Sequence, residues 1–209
     1  MQITLTNTGK RYNREWIFRH VEYEFNTGTS YAITGPNGSG KSTLLQVIAG
    51  AVLHSEGEIK YKRQDAGSGI QDKIDANDAY KNISIATPYL ELIEEMTATE
   101  LLNFHSTFKA FTLSIPQMLE AVSLQNAANK QIRYFSSGMK QRLKLAQAFF
   151  SDTAVLLLDE PTTNLDTDGI ELYQQLIKDH TKNRLVIISS NDKQEYDFCE
   201  KVISINNYK

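Results

Sequence analysis

The chain has 209 residues, which suits one large α/β domain and is too short for two ordinary domains with a linker. Hydrophobic residues make up 41% and charged residues 22%, a globular composition that excludes a disordered chain. The formal net charge of −3 argues against a general nucleic-acid-binding protein, which usually carries a basic excess. We therefore expect no nucleic-acid partner.

Apolar runs in this sequence are too short to cross a membrane. The longest, 47–53, has seven residues, whereas a spanning helix needs about 20. The first residues lack the apolar core of a secretory signal. A single cysteine, Cys199, allows no internal disulfide, and the few histidines have no zinc-binding spacing. We expect a cytoplasmic protein whose membrane role, if it has one, comes through a partner.

Short β-like runs and helical patterns alternate along the chain. Two early runs alternate apolar and polar residues, as half-exposed antiparallel strands do: Gln2–Thr6 and Val21–Phe25. Four later runs are short and apolar without alternation, which favours a parallel sheet buried on both faces: Tyr31–Thr34, Ile83–Ala86, Val155–Leu158 and Leu185–Ile188. Helical patterns fall at Ser42–Ala49, Thr99–Phe108, Pro116–Ser123, Lys140–Phe150 and Asp168–His180.

This order of elements predicts an α/β fold in one domain over 1–209. Antiparallel strands come first, and a mostly parallel core follows that a helical block interrupts. The segment Arg63–Asn82 is polar with two close glycines, and we predict that it forms a surface loop.

The sequence GPNGSGKST satisfies the pattern of a phosphate loop, G-x-x-x-x-G-K-[ST], between a predicted strand and a predicted helix. Its glycines allow a tight turn whose N–H groups point at an anion, and the helix adds its positive N-terminal end. The lysine would reach the β- and γ-phosphates, and the hydroxyl of the next residue would bind Mg²⁺. The alternative is a glycine-rich turn that matches by accident. The residues concerned are Gly35, Pro36, Asn37, Gly38, Ser39, Gly40, Lys41, Ser42 and Thr43.

A second motif, VLLLDEP, is an apolar run that ends in Asp159 and Glu160. Ligands of open α/β sheets bind at the carboxyl ends of the strands, so both carboxylates should lie near the phosphate loop. Asp159 would then hold Mg²⁺, and Glu160 would polarise a water for attack on the γ-phosphate. The alternative is an ordinary strand that stops at a polar turn.

Together with what lies between them, these motifs resemble the ATP-binding subunit of ABC transporters. The segment YFSSGMKQR, Tyr134–Arg142, is similar to that family's LSGGQ signature and ends 17 residues before Asp159. The segment TNLD, Thr163–Asp166, resembles the loop that follows the second carboxylate motif. The resemblance covers essentially the whole chain. It implies a nucleotide-binding core with an antiparallel β-subdomain and an inserted helical subdomain at about 88–150.

In the family, the signature closes over the γ-phosphate held by a second subunit. Carried over, this implies that Ser136, Ser137 and Gly138 contact ATP in a head-to-tail dimer, either a homodimer or one with a paralogous subunit. The local alternative is a simple helix start, with Ser136 as the N-cap and a solvated basic face. The family also places an aromatic that stacks on adenine at the position of Tyr12. Tyr12 can instead be an exposed turn aromatic, and Trp16, which we expect to pack under the β-subdomain, competes for the role.

Three departures from the family's pattern bear on catalysis. The glutamine expected after Ile83–Ala86 is missing, and Tyr89 is the best match for its place. The histidine expected after Leu185–Ile188 is replaced by Asn191, which can donate to phosphate but cannot carry charge. In the signature, Ser137 replaces a glycine and Met139 a glutamine. These changes predict slow hydrolysis with intact binding, unless neighbours such as Asp192 or Glu91 take over the missing roles.

The sequence thus favours an ATPase subunit that uses Mg²⁺ and ATP to energise a separate permease at the inner face of the membrane. An ABC-type ATPase that acts on a protein or nucleic-acid partner without transport is the main alternative. A P-loop nucleotide kinase would explain neither the signature nor LLLDEPT.

The phosphate loop generates a direct prediction. Because Lys41 is the only cation in the loop, Lys41→Ala should weaken Mg·ATP binding at least tenfold, the loss of a charged hydrogen bond. Calorimetric titration measures it, with Lys182→Ala, which lies outside every motif, as the matched control. Equal affinities for wild type and Lys41→Ala would contradict the assignment of the loop.

Overall fold

The computed structural model describes residues 1–64 and 71–209, which form two sheets and the helices packed on them. The strands are β1 (Gln2–Tyr12), β2 (Glu15–Asn26), β3 (Ser30–Thr34), β4 (Glu56–Gln64), β5 (Gln71–Ile74), β6 (Ile83–Ala86), β7 (Val155–Asp159), β8 (Leu185–Ser189) and β9 (Lys201–Ser204). The α-helices are α1 (Lys41–Ile48), α2 (Ala98–Ser106), α3 (Ile115–Ala121), α4 (Ser137–Phe150), α5 (Thr167–His180) and α6 (Lys193–Tyr196). Short 3₁₀ helices span Ala76–Asn82, Gln125–Ala127, Ile132–Tyr134 and Ile205–Tyr208.

An antiparallel sheet contains the two strands that the alternating runs predict. Its order is β2-β1-β4-β5, and β1 pairs with β2 so that Ile3 lies opposite Phe25. Ile3, Leu5 and Phe25 are fully buried in one core, as a period of two along each strand requires. Both strands extend well beyond the predicted runs because β1 and β2 continue to pair with each other as far as Tyr12 and Glu15.

A parallel sheet of order β6-β7-β8-β3-β9 contains all four runs that lack alternation. Along β7, Val155 and Leu157 face a core shared with α1 and the antiparallel sheet, whereas Leu156 and Leu158 face a core formed by α2 to α5. A strand that is buried on both faces has no solvent side, and this explains its unbroken apolar sequence. Each such leucine contributes about 2 kcal/mol of transfer free energy. The predicted α/β architecture is confirmed.

The predicted helices are all present, with ends that shift by at most three residues. The largest change is in α4, which begins at Ser137 rather than Lys140 because the Ser136 hydroxyl accepts a hydrogen bond from the Met139 N–H at 3.2 Å. Helices α2, α3 and α4 occupy the block where the sequence predicts a helical subdomain. The patterns did not predict α6 or β9.

The prediction of a surface loop over Arg63–Asn82 is wrong for most of its length. Strand β4 continues to Gln64, β5 pairs with it in antiparallel register, and Ala76–Asn82 forms a 3₁₀ helix that Asp75 caps. The hydropathy pattern does not indicate these elements because their side chains are mostly polar. The edge formed by β4 and β5 can leave most of its side chains in solvent. The rest of the prediction, at residues 65–70, lies outside the described residues.

None of the helices in the described ranges combines the length and the apolar character that crossing a bilayer requires.

A half-buried histidine ties the helical block to the core. His105, in α2, accepts a hydrogen bond from Nε2 of Gln147 at 2.7 Å and donates to the Ser151 hydroxyl at 3.2 Å, and its ring stacks on Phe111. Burial, with a smaller effect of Lys109, lowers the pKa of His105 from 6.5 to about 4. The imidazole is therefore neutral in the folded protein at physiological pH.

This network predicts a loss of stability in acid. The unfolded chain protonates His105 near pH 6.5 and the folded chain only near pH 4, so the free energy of unfolding should fall by up to about 3 kcal/mol over that range. The variant His105→Gln keeps hydrogen-bonding groups but cannot titrate, so its stability should depend less on pH. Urea unfolding at pH 7.5, 6.0 and 5.0 tests this, with the exposed His20→Gln as control. An unchanged pH dependence in His105→Gln would contradict it.

Candidate functional site

The phosphate loop, Gly35–Thr43, joins the end of β3 to the start of α1, as its motif predicts. Gly40 is the N-cap of α1 and has a φ of +97°, a left-handed conformation that side chains disfavour. A Cβ at Gly40 would lie 2.4 Å from Cγ2 of Ile17 in β2. The absence of a side chain therefore lets the antiparallel sheet pack directly against the loop.

Lys41 is buried and directs its ammonium back into the loop. Its Nζ donates to the Gly35 carbonyl at 2.9 Å and to the Pro36 carbonyl at 3.4 Å, and the Pro36 carbonyl also accepts from the Ser39 N–H at 3.0 Å. The loop therefore holds a positive charge at its centre and is braced by its own polar groups.

Ser42 and Asp159 meet where two strands end, as the parallel sheet predicts. The Ser42 hydroxyl donates to Oδ1 of Asp159 at 3.0 Å. Asp159 is 1% exposed, and burial raises the pKa of its carboxyl group, an effect that the hydrogen bond from Ser42 opposes. A hydroxyl beside a carboxylate is an oxygen set that Mg²⁺ prefers, so these two residues fit the predicted metal role.

Glu160 follows β7 in a strained conformation that aims it away from the strand. Its φ is +43°, rare for a residue other than glycine, and its N–H donates to the Ser189 carbonyl at 2.8 Å. Glu160 lines a cavity of about 330 Å³ with the phosphate loop, and the structure thus brings together the loop and the predicted general base. The lining residues are Ile17, Asn37, Gly38, Ser39, Gly40, Lys41, Ser42, Thr43, Tyr89 and Glu160.

Besides Glu160, two residues of this phosphate-loop cavity come from other parts of the chain. Tyr89, the predicted match for the missing glutamine, is 78% exposed and lines the cavity. Ile17 was missed by the sequence analysis, since an apolar residue in a strand carries no signal of a site.

Asn191 lies beside the phosphate loop but outside the described lining of the cavity. Its Oδ1 accepts from the Gly35 N–H at 3.2 Å, and its Nδ2 donates to Oδ1 of Asn37 at 3.0 Å. The sequence therefore places this residue at the correct loop, and its catalytic role stays a prediction.

Glu195, a further residue that the sequence analysis missed, holds the chain after Glu160. Its side chain is 3% exposed, and its Oε1 accepts from the Thr162 N–H at 2.7 Å and from the Thr162 hydroxyl. Burial raises the pKa of this carboxyl group, and the hydrogen bonds from Thr162 oppose the shift. From the other side, Nε2 of Gln141 in α4 donates to the Pro161 carbonyl at 2.8 Å.

The signature segment lines a second cavity of about 360 Å³. The predicted TNLD loop meets the signature there, and Arg142 pairs with Asp166 at 2.8 Å. A Cβ at Gly138 would lie 3.0 Å from the Asn164 carbonyl, so the glycine permits this close approach. The lining residues of this signature cavity are Ser136, Ser137, Gly138, Met139, Arg142, Asn164 and Asp166.

The basic side chains of α4 do not form the solvated face that the local alternative describes. Lys144 is 8% exposed and its Nζ donates to the carbonyls of Pro88 at 2.7 Å and Thr87 at 3.2 Å. Lys140 forms an ion pair with Glu94. Helix α4 is therefore tied to the segment that carries Tyr89.

The predicted adenine-stacking residue, Tyr12, ends β1 and is 47% exposed, with Nζ of Lys10 4.7 Å from its ring centroid. It is outside the described lining of the phosphate-loop cavity. Trp16 is half-buried between the guanidinium groups of Arg19 and Arg11, 4.1 and 5.5 Å from its ring, rather than packed under the sheet as predicted. Cation–π attraction of its ring to the two guanidinium groups accounts for this position.

Comparisons with known proteins agree with this geometry. Residues 18–163 match the sequence profile of the ABC transporter family. The uncharacterized ABC transporter ATP-binding protein YybJ of Bacillus subtilis is 29% identical over 98% of this chain and 92% of its own. The energy-coupling factor transporter ATP-binding protein EcfA1 of Thermotoga maritima is 31% identical over 99% of this chain and 79% of its own. The dimeric structure of MJ0796, a bacterial ABC transporter cassette, matches with a TM-score of 0.80 and 26% identity, over 97% of this chain and 93% of that one.

The contact between Gly40 and Ile17 predicts a specific defect. Gly40→Ala adds left-handed strain, about 1 kcal/mol, and a clash with Ile17, so it should lower ATP affinity at least tenfold. Gly28→Ala is the matched control, because Gly28 has a φ of +82° but nothing within 4 Å of an added Cβ. It should lose a similar amount of stability and keep its affinity. Calorimetric titration and thermal unfolding measure both effects, and equal affinities of the two variants would contradict the prediction.

Proposed function

Because the chain belongs to the ABC transporter family as one of its ATP-binding ATPase subunits, we propose that it works as a head-to-tail dimer on a separate membrane permease. Each site would take the phosphate loop from one subunit and the signature from the other. The second subunit is another copy of this chain or a paralogue, and closure around ATP moves the permease.

One observation carries this proposal. The phosphate-loop cavity and the signature cavity have no lining residue in common among the residues that the structure describes. The signature cavity contains a helix N-terminus, since Ser136 caps α4, and helix N-termini favour anions. In the proposed dimer, a phosphate held by the loop of one chain would meet this second anion site on the other chain. The match to a dimeric cassette supports the same arrangement.

The residues of the phosphate-loop cavity have separable roles in the proposed reaction. Backbone N–H groups of the loop bind the phosphates, and Lys41 leaves the Gly35 carbonyl to pair with them. Ser42 and Asp159 would hold Mg²⁺, which supplies charge neutralisation at the phosphates when bound. Glu160 accepts a proton from the attacking water, and its strained backbone fixes its direction. The γ-phosphate held by one subunit would contact the signature of the other, at Ser136, Ser137 and Gly138.

Hydrolysis by this site should be slow. Asn191 replaces a histidine and is engaged by the loop, and Tyr89 has no carboxamide to offer the metal or the water. The loss of one positioned donor typically costs about 3 kcal/mol, or about a hundredfold in rate. We propose that binding and closure survive these losses, since the phosphate loop is intact.

The permease would hold the subunit at the inner face of the cell membrane. The transporter ATP-binding proteins among its relatives support this location. Purification from cells that express the chain at native level tests it: a protein with several membrane spans should co-purify. A soluble protein partner instead would favour the alternative of an ABC-type ATPase without transport.

If each ATP site is shared between two subunits, two inactive variants should complement each other. Lys41→Ala destroys the phosphate-loop half of a site, and Ser137→Arg fills the signature half at an exposed position. In a mixture, half of the dimers are mixed and each has one intact site, so about a quarter of the wild-type ATPase rate should return. Phosphate release measures the rate.

The matched control for this mixture pairs Lys41→Ala with Glu160→Gln. Both changes damage the same half-site, so no dimer regains an intact site and no activity should return. Recovery in both mixtures, or in neither, would contradict the head-to-tail arrangement.

A further inference from the structure

Asn191 binds the phosphate loop through both ends of its carboxamide. Its oxygen accepts from the backbone N–H of Gly35, where the loop begins, and its nitrogen donates to the side chain of Asn37, two residues later. Gly35 has a φ of +148° and opens the turn, so one side chain spans the first bend of the loop.

The residue that makes these bonds is itself held firmly. The N–H of Ser190, the preceding residue, donates to the Ile33 carbonyl at 3.1 Å. On the other side, the N–H of Asp192 donates to the Ser190 hydroxyl at 2.9 Å, and Asp192 caps α6 through the Gln194 N–H. Asn191 therefore connects the phosphate loop to the ends of β3 and α6.

Asn191 contacts the phosphate loop rather than the cavity in which we propose that the phosphates bind. Asn37 lines the phosphate-loop cavity, whereas Asn191 and Gly35 are not among its described lining residues. We therefore expect Asn191 to affect the nucleotide through its bonds to the loop. An asparagine suits this task, because one planar group supplies an acceptor and a donor at the same time and carries no charge.

We propose that Asn191 is a positioning residue that braces the phosphate loop in its binding conformation, rather than a contact to the γ-phosphate. The proposal rests on the proposed function, since it assumes that the loop binds nucleotide. A loop that is already ordered loses less conformational freedom when it binds, so the brace increases affinity. All phosphates of the nucleotide share this loop, and ADP and ATP therefore gain alike.

The test compares ADP with a non-hydrolysable ATP analogue in calorimetric titrations. Asn191→Ala should raise both dissociation constants by the same factor, roughly five-fold for two exposed hydrogen bonds. Asn191→His cannot reproduce both bonds and should raise the dissociation constant for ADP by a similar factor. The melting temperature without nucleotide should hardly change, because water can replace the partners of this exposed side chain. Asn183→Ala, an exposed asparagine in the turn before β8, is the matched control and should bind like wild type.

A double-mutant cycle then assigns the coupling to Asn37. Asn191→Ala should have a smaller effect in an Asn37→Ala background, because only the bond to Gly35 remains to be lost. Steady-state kinetics of phosphate release give a further test. For Asn191→Ala, KM for ATP should rise while kcat at saturating ATP stays the same.

The possible outcomes separate this proposal from the function on which it rests. Failure of the wild type to bind either nucleotide would overturn both. Normal wild-type binding with unchanged ADP affinity in Asn191→Ala would overturn only the brace. If that variant also lost ATP affinity and kcat, a direct contact to the γ-phosphate would replace it. Additive effects in the double-mutant cycle would exclude the route through Asn37.

Discussion

The hydrogen bond from Ser42 to the buried carboxylate of Asp159 joins the two motifs on which the site depends. Ser42 lies in the first turn of α1, the helix after β3, and Asp159 ends β7, with β8 between those strands in the sheet. Because parallel strands end at one edge, a hydroxyl and a carboxylate that are 117 positions apart in the chain reach each other. A carboxylate that is 1% exposed needs such a partner, since an unpaired buried charge would destabilise the fold.

Helix α4 connects the two half-sites within one chain. Its N-terminus carries the signature, Gln141 binds the carbonyl that follows Glu160, and Lys144 binds the carbonyls before Tyr89. A rotation of this helix must therefore disturb both walls of the phosphate-loop cavity. Although the glutamine is missing, the segment that carries Tyr89 is still attached to the signature helix, because Lys144 donates hydrogen bonds to its backbone.

The sequence predicted those features that are encoded locally or by hydropathy. The phosphate loop is contiguous, and β3, β6, β7 and β8 are recognisable because burial on both faces leaves mostly apolar runs. Strands β4 and β5 were not predicted, because they form through pairing with other segments and their composition does not mark them as strands. Glu195 could not be assigned a role, since its partner Thr162 lies 33 positions away and no spacing rule joins them. Likewise, the position of Asn191 followed from the motif order, but the direction of its amide required the structure.

The packing of Ile17 against Gly40 has a consequence for the antiparallel sheet. Transient opening of the β1–β2 hairpin must remove Ile17 from the loop, and so the opened form binds nucleotide less well than the closed form. By mass action, an occupied loop lowers the population of that opened form. Backbone amides across β2 would then exchange more slowly with solvent deuterium in the bound protein, even at residues that the nucleotide never touches.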